Sequence, residues 1–110
     1  MKDFSKGSNL SIRYDLVWDH LNAAQREDAM AMGEDYKQFL DAAKTERLCV
    51  QEIIRRVEKK GFVDLESVTS LSTGDKVYSV NRGKSIMLAV IGEEPITSGI
   101  RAVGSHIDSP

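Results

Sequence analysis

His106 and Asp108 stand one residue apart in Gly104-Ser105-His106-Ile107-Asp108-Ser109-Pro110, directly after the β-prone stretch Ile100-Arg101-Ala102-Val103. In extended backbone, residues i and i+2 project to the same side, so the imidazole and the carboxylate point together and Ile107 points away. Ser109 precedes a proline, which favours extended backbone and prolongs this geometry. A neutral imidazole is a good zinc ligand, and a neighbouring carboxylate can hold its orientation and raise its basicity. The end of a buried strand is a usual place for an α/β active site. On spacing alone the signal is weak, because a histidine hydrogen-bonded at a strand end has the same appearance.

The remaining chemistry-bearing residues are sparse. His20 lies in the N-terminal segment, with an exposed or capping role as its plainest reading. Cys49 is the single cysteine and cannot form an internal disulfide. It falls at the edge of a helical apolar face with no histidine partner, so an inert, half-buried thiol is expected. Gly99 and Gly104 are isolated and do not make a phosphate-binding loop.

Several elements must position the terminal pair. Tyr14, Val17, Trp18 and Leu21 recur at helical spacing, which fits a short helix or an arm docked on a partner; the single tryptophan is expected to anchor in an apolar pocket. Asn22 with Gln25 resembles a capping box. From there to Lys60 there is no proline, and Ala29, Met32, Tyr36, Phe39, Leu40, Ala43, Val50, Ile54 and Val57 fall on one broad face. One long helix is possible, with Gly33 as the place for a break or kink. Lys59, Lys60 and Gly61 form a firm stop. Arg47 projects near the middle of the apolar face, with Glu46 at its edge, so it must snorkel past its neighbours or meet a carboxylate.

Beyond Gly61 the period changes to two. A short strand is expected near Phe62-Val63. A hairpin follows, from Lys76-Val77-Tyr78-Ser79-Val80 through the turn Asn81-Arg82-Gly83-Lys84 into residues 85–91. The run Ile86-Met87-Leu88-Ala89-Val90-Ile91 reads as a strand buried on both faces. A further strand is expected over 98–105. The fold class is α+β: a long helix packed on part of a mixed sheet.

Composition narrows the function classes. The chain has 110 residues, about one domain. It is 41% hydrophobic and 29% charged, which excludes a disordered chain, and its net charge is −2. A near-balanced charge without basic clusters gives no reason to expect a nucleic-acid partner. No apolar run approaches the ~20 residues of a membrane helix. No signal peptide is visible, and the lone cysteine favours a reducing, cytoplasmic setting.

The segment from Gly104 to Pro110 resembles the first metal motif of the aspartyl aminopeptidase / aminopeptidase I family of zinc metallopeptidases. Upstream, Asp35-Tyr36-Lys37-Gln38-Phe39-Leu40 with Lys44-Thr45-Glu46-Arg47 is similar to the family's N-terminal helix. Gly74-Asp75-Lys76-Val77-Tyr78 with Asn81-Arg82-Gly83-Lys84-Ser85 is similar to its hairpin. The match runs over roughly residues 14 to 110. Many relatives carry Thr in place of Ile107, a side chain that faces away from the metal.

The resemblance implies an α/β catalytic domain with a mixed sheet and a co-catalytic site of two zinc ions. Water activated between them attacks the scissile carbonyl, and one N-terminal residue is released from a peptide with a free N-terminus. His106 would be a ligand to one zinc. Asp108 would belong to the catalytic centre as the carboxylate steadying that imidazole. Ser109 and Pro110 would shape the strand exit. The family's other ligands and its general base lie further along. Residues 1–21 then read as an N-terminal arm or short helix, and 22–110 as the N-terminal part of the catalytic domain. Such a part would be inactive alone and would hold no zinc tightly. The parent family also implies a homo-oligomer, commonly a dodecamer. The competing readings are a non-enzymatic α+β binding or assembly module, and a two-metal peptidase of another family, against which the upstream matches argue.

Overall fold

The computed structural model describes residues 14–108. Residues 1–13 of the N-terminal arm, and Ser109 and Pro110, lie outside the described residues. The chain forms two compact units, Met1–Asp35 and Tyr36–Pro110.

In the first unit, a short helix α1 (Val17–His20) precedes the start of α2 (Ala23–Ala42). The capping box is reciprocal. The Gln25 amide donates to Asn22 Oδ1 at 2.9 Å, and the Asn22 amide donates to Gln25 Oε1 at 3.0 Å. Among the described residues Trp18 is not enclosed in an apolar pocket. It is 44% exposed, with the Arg26 guanidinium 5.6 Å from its ring centroid and Arg26 Nη2 donating to its carbonyl. The cation sits over the indole face. His20 is exposed and lies 3.7 Å from Asp15.

In the second unit, α2 ends at Ala42 and α3 runs over Glu46–Glu58. The expected single helix is therefore broken, and at a different place from Gly33, which stays helical. Thr45 is the cause. It takes an extended conformation (φ −134°, ψ 162°), and its side-chain oxygen accepts the Leu48 amide. A threonine able to bond its own backbone competes with helix continuation and favours an N-cap. Helix α3 stops as expected: Gly61 takes φ 86°, and the Phe62 amide returns to the Val57 carbonyl.

The sheet is mixed, in the order β1 (Val63–Asp64), β2 (Lys76–Asn81), β3 (Ser85–Val90). Strand β1 is parallel to β2, and β3 is antiparallel to it, with Tyr78 opposite Leu88. At the hairpin turn both Arg82 (φ 52°) and Gly83 (φ 67°) have positive φ, which matches the twist of the flanking strands. Asn81, a residue type that tolerates positive φ, instead closes β2 opposite Ser85.

The central strand carries the core. Val77 and Tyr78, on opposite faces of β2, are buried together with Cys49 and Val50 of α3. The Tyr78 hydroxyl donates to Glu58 Oε1 at 2.8 Å. That bond, then burial, raises the phenol pKa. Strand β3 is not buried on both faces as expected. It is an edge strand, and Met87, Leu88 and Val90 are exposed. Nor does 98–105 form a strand. Ile96–Ser98 is a 3₁₀ turn, and 99–107 has no ladder partner among the described residues; an apolar stretch becomes a strand only where a neighbouring edge accepts it.

Glu52 is a buried carboxylate within α3. Arg55 Nε donates to Oε2 at 2.7 Å, while Arg55 Nη2 and Arg56 Nε both donate to Oε1. The Arg56 guanidinium also lies 5.4 Å from the Phe39 ring centroid, which ties α3 to the end of α2. The hydrogen bonds from Arg55, then those from Arg56, hold the Glu52 carboxyl down to about 2.

Two outcomes are expected. Thr45→Ala should lower stability by about 1 kcal/mol, the usual cost of a lost N-cap, with Thr45→Asp restoring it in thermal or denaturant unfolding. Glu52 ionises more readily folded than unfolded. Its contribution is complete above its ordinary pKa of 4.5 and is lost as pH falls through about 2. Unfolding curves from pH 5 to 2 for Glu52→Gln should therefore lack part of the acid-side loss shown by the natural chain.

Candidate functional site

His106 and Asp108 do project together. His106 Nδ1 lies 3.1 Å from the Asp108 backbone carbonyl oxygen and 3.4 Å from its Oδ1. Ile107 between them is half-buried, whereas the two flanking side chains are 73% and 69% exposed. The alternation expected of extended backbone is present without a paired strand. With its proton on Nδ1, the imidazole donates to Asp108 and keeps the Nε2 lone pair for a metal.

This pair lines an open cavity of about 540 Å³ in the second unit. Its apolar wall includes Tyr36, Phe39 and Leu40 from the last turns of α2 and Ile53 from α3. Tyr36 and Phe39 stack with centroids 6.2 Å apart. Cys49 also lines the cavity, with 4% of its surface exposed. Burial raises its thiol pKa, in keeping with an unreactive thiol. Lys44 and Thr45 complete one side, where the chain breaks between the two helices.

Among the described residues Arg47 meets no carboxylate. Once the helix breaks at Thr45, the projection that put it mid-face no longer applies. Its Nη1 donates to the Arg82 carbonyl at the hairpin turn, at 3.2 Å. A Cβ at Gly83 would approach that Nη1 to 3.3 Å. Glu46 beside it pairs with Lys84 at 3.4 Å. These contacts fix the start of α3 to the hairpin. Lys44 and Thr45 line the cavity without standing out as site residues in the sequence. The available signal was a threonine followed by an acidic residue, a helix-start pattern inside an apolar-periodic run.

The residues present fit one position of a zinc shell. Among the described residues there is no group of three or more His, Cys, Asp or Glu side chains placed to hold a metal, and a catalytic zinc takes about three protein ligands.

Comparison with known proteins bears on what that site is. Residues 39–110 match the model of the family described as aminopeptidase I zinc metalloprotease (M18). A probable M18 family aminopeptidase 1 of Clostridium acetobutylicum is 39% identical over 107 residues, covering 94% of this chain and 23% of the relative. The crystal structure of aminopeptidase I from Borrelia burgdorferi superposes with a TM-score of 0.82 at 34% identity, covering 87% of this chain and 24% of that one. An M18 family aminopeptidase structure from Thermotoga maritima gives 0.76 at 36% identity, covering 90% and 21%. The chain thus spans between a fifth and a quarter of the length of these relatives.

Purified alone and desalted, the 110-residue chain should hold no stoichiometric zinc by elemental analysis. One retained ion per chain would reveal ligands beyond His106.

Proposed function

Because this chain belongs to the aminopeptidase I zinc metalloprotease (M18) family, we propose that it is the part of a zinc-dependent aminopeptidase that supplies the metal ligand His106. The observation that carries this reading is the contact of His106 Nδ1 with Asp108, which leaves Nε2 as the donor. Family membership weighs against a purely structural α+β module. Peptides with a free N-terminus are the substrates, and one N-terminal residue is removed at each turnover.

The roles of this chain's residues follow from their positions. His106 binds one metal through Nε2. Asp108 accepts from Nδ1–H, fixing the tautomer and the ring's orientation and making the imidazole a stronger donor. Zinc held there, as a pair once the site is complete, would supply Lewis-acid activation of a water and of the scissile carbonyl. The remaining ligands and the general base come from outside these 110 residues, so the segment alone is inactive. The working enzyme is a homo-oligomer acting in the cytoplasm. Among the described residues no helix is long and apolar enough to cross a membrane.

In the full-length protein, His106→Ala should abolish peptidase activity and lower bound zinc while leaving the fold intact by circular dichroism. Asp108→Asn should keep more zinc yet lose roughly 10–100-fold in turnover or metal affinity, the range typical for a group that orients a ligand. Near-normal activity of His106→Ala would remove this histidine from the metal centre.

A further inference from the structure

The end of α2 that walls the cavity is anchored through a single side chain. Every residue of α2 is exposed except Phe39, which is half-buried. The Phe39 ring stacks on Tyr36, with the two planes 11° from parallel. Both rings line the cavity that contains His106 and Asp108. A helix end with so little burial frays unless something holds it.

Arg56 of α3 supplies that hold. Its guanidinium lies 5.4 Å from the Phe39 ring centroid, while its Nε donates to Glu52 Oε1 at 2.7 Å. The Glu52 side chain is 8% exposed and that of Arg56 27% exposed. The cation over the ring is thus itself tethered to a buried carboxylate by a charge-assisted hydrogen bond. Cys49, Ile53 and Arg56 follow one another along α3 at helical spacing. The first two line the cavity, and the third bears on its aromatic wall. Arg55 bonds the same carboxylate from a more exposed position, outside that stripe.

We infer that Arg56 is a positioning residue for the peptidase reaction: tethered to Glu52, it holds the Phe39 ring, and Tyr36 stacked on it, as a fixed wall against which the peptide lies beside His106. The inference rests on the peptidase reading. Arg56 acts through Phe39 and needs no contact with the substrate. A wall that meets the peptide equally before and during reaction contributes uniform binding, so loosening it raises KM and leaves kcat in place.

The test uses the full-length, zinc-loaded protein and a neutral peptide amide with an apolar first residue. Arg56→Met keeps the aliphatic stem and removes the cation; it should raise KM by roughly threefold to tenfold with kcat within about twofold. Arg56→Lys, which keeps a cation for both ring and carboxylate, should restore KM. Arg55→Met also removes a bond to Glu52, yet should leave KM within about twofold. In a Phe39→Leu background, Arg56→Met should raise KM no further. Equal KM changes in the two Met variants, no change in either, or a fall in kcat at constant KM overturns the inference. A second measurement needs no turnover. With para-fluorophenylalanine incorporated, the fluorine NMR resonance that disappears in Phe39→Leu should shift or broaden in Arg56→Met and stay in place in Arg55→Met. An unchanged resonance in Arg56→Met also overturns the inference. A protein that cleaves no peptide yet shows the altered resonance rejects the peptidase reading and keeps Arg56 as the residue that holds the wall; one that shows neither rejects both.

Discussion

The hydrogen bond from the Leu48 amide to the Thr45 side chain is the constraint on which the second unit depends. Without it, the apolar periodicity of 22–60 would run on as one helix, because no proline or other strong breaker interrupts it. The cap ends that run and starts α3 as a separate helix. The cavity wall from α2, the buried Cys49 and Val50 of α3, and the segment ending at Asp108 are arranged around that break. One local bond has this reach because a helix start fixes the direction of every residue in the helix that follows it.

A second set of contacts keeps α3 where the cap aims it. Arg47 reaches the Arg82 carbonyl at one end, and the Tyr78 hydroxyl reaches Glu58 at the other. The two attachments lie at opposite ends of α3, one reaching the hairpin turn and the other the middle of β2, so the helix is pinned to the sheet at both of its ends around a small core. Glu52 and its two arginines sit between them. The carboxylate is buried but fully bonded, and both cations come from its own helix, so the arrangement holds without a partner across the sheet.

Much of this was legible in the residues. The Asn22–Gln25 box, the Gly61 stop, the short first strand and the hairpin are local devices, and each appears where the sequence places it. So does the shared direction of His106 and Asp108, which depends only on extended backbone. What failed was decided by tertiary neighbours. An apolar run does not say whether it becomes a covered strand or an edge, so Met87 and Val90 proved exposed. The stretch containing Ile100 and Val103 has strand-like composition but no strand beside it. Trp18 found a cation instead of a pocket. A single capping residue is a weak signal within a strongly periodic stretch, so neither the break at Thr45 nor the setting of Arg47 is legible in the periodicity.

Cys49 carries a consequence of its own. Its thiol is almost fully enclosed and harder to ionise than an exposed one, and the reactive species toward alkylating agents and oxidants is the thiolate. Reaction at Cys49 therefore waits for α3 to part from its surroundings. Because the chain has a single cysteine, thiol labelling reports on one place only, and its rate is a clock for local opening of the helix that borders the cavity, separate from unfolding of the rest.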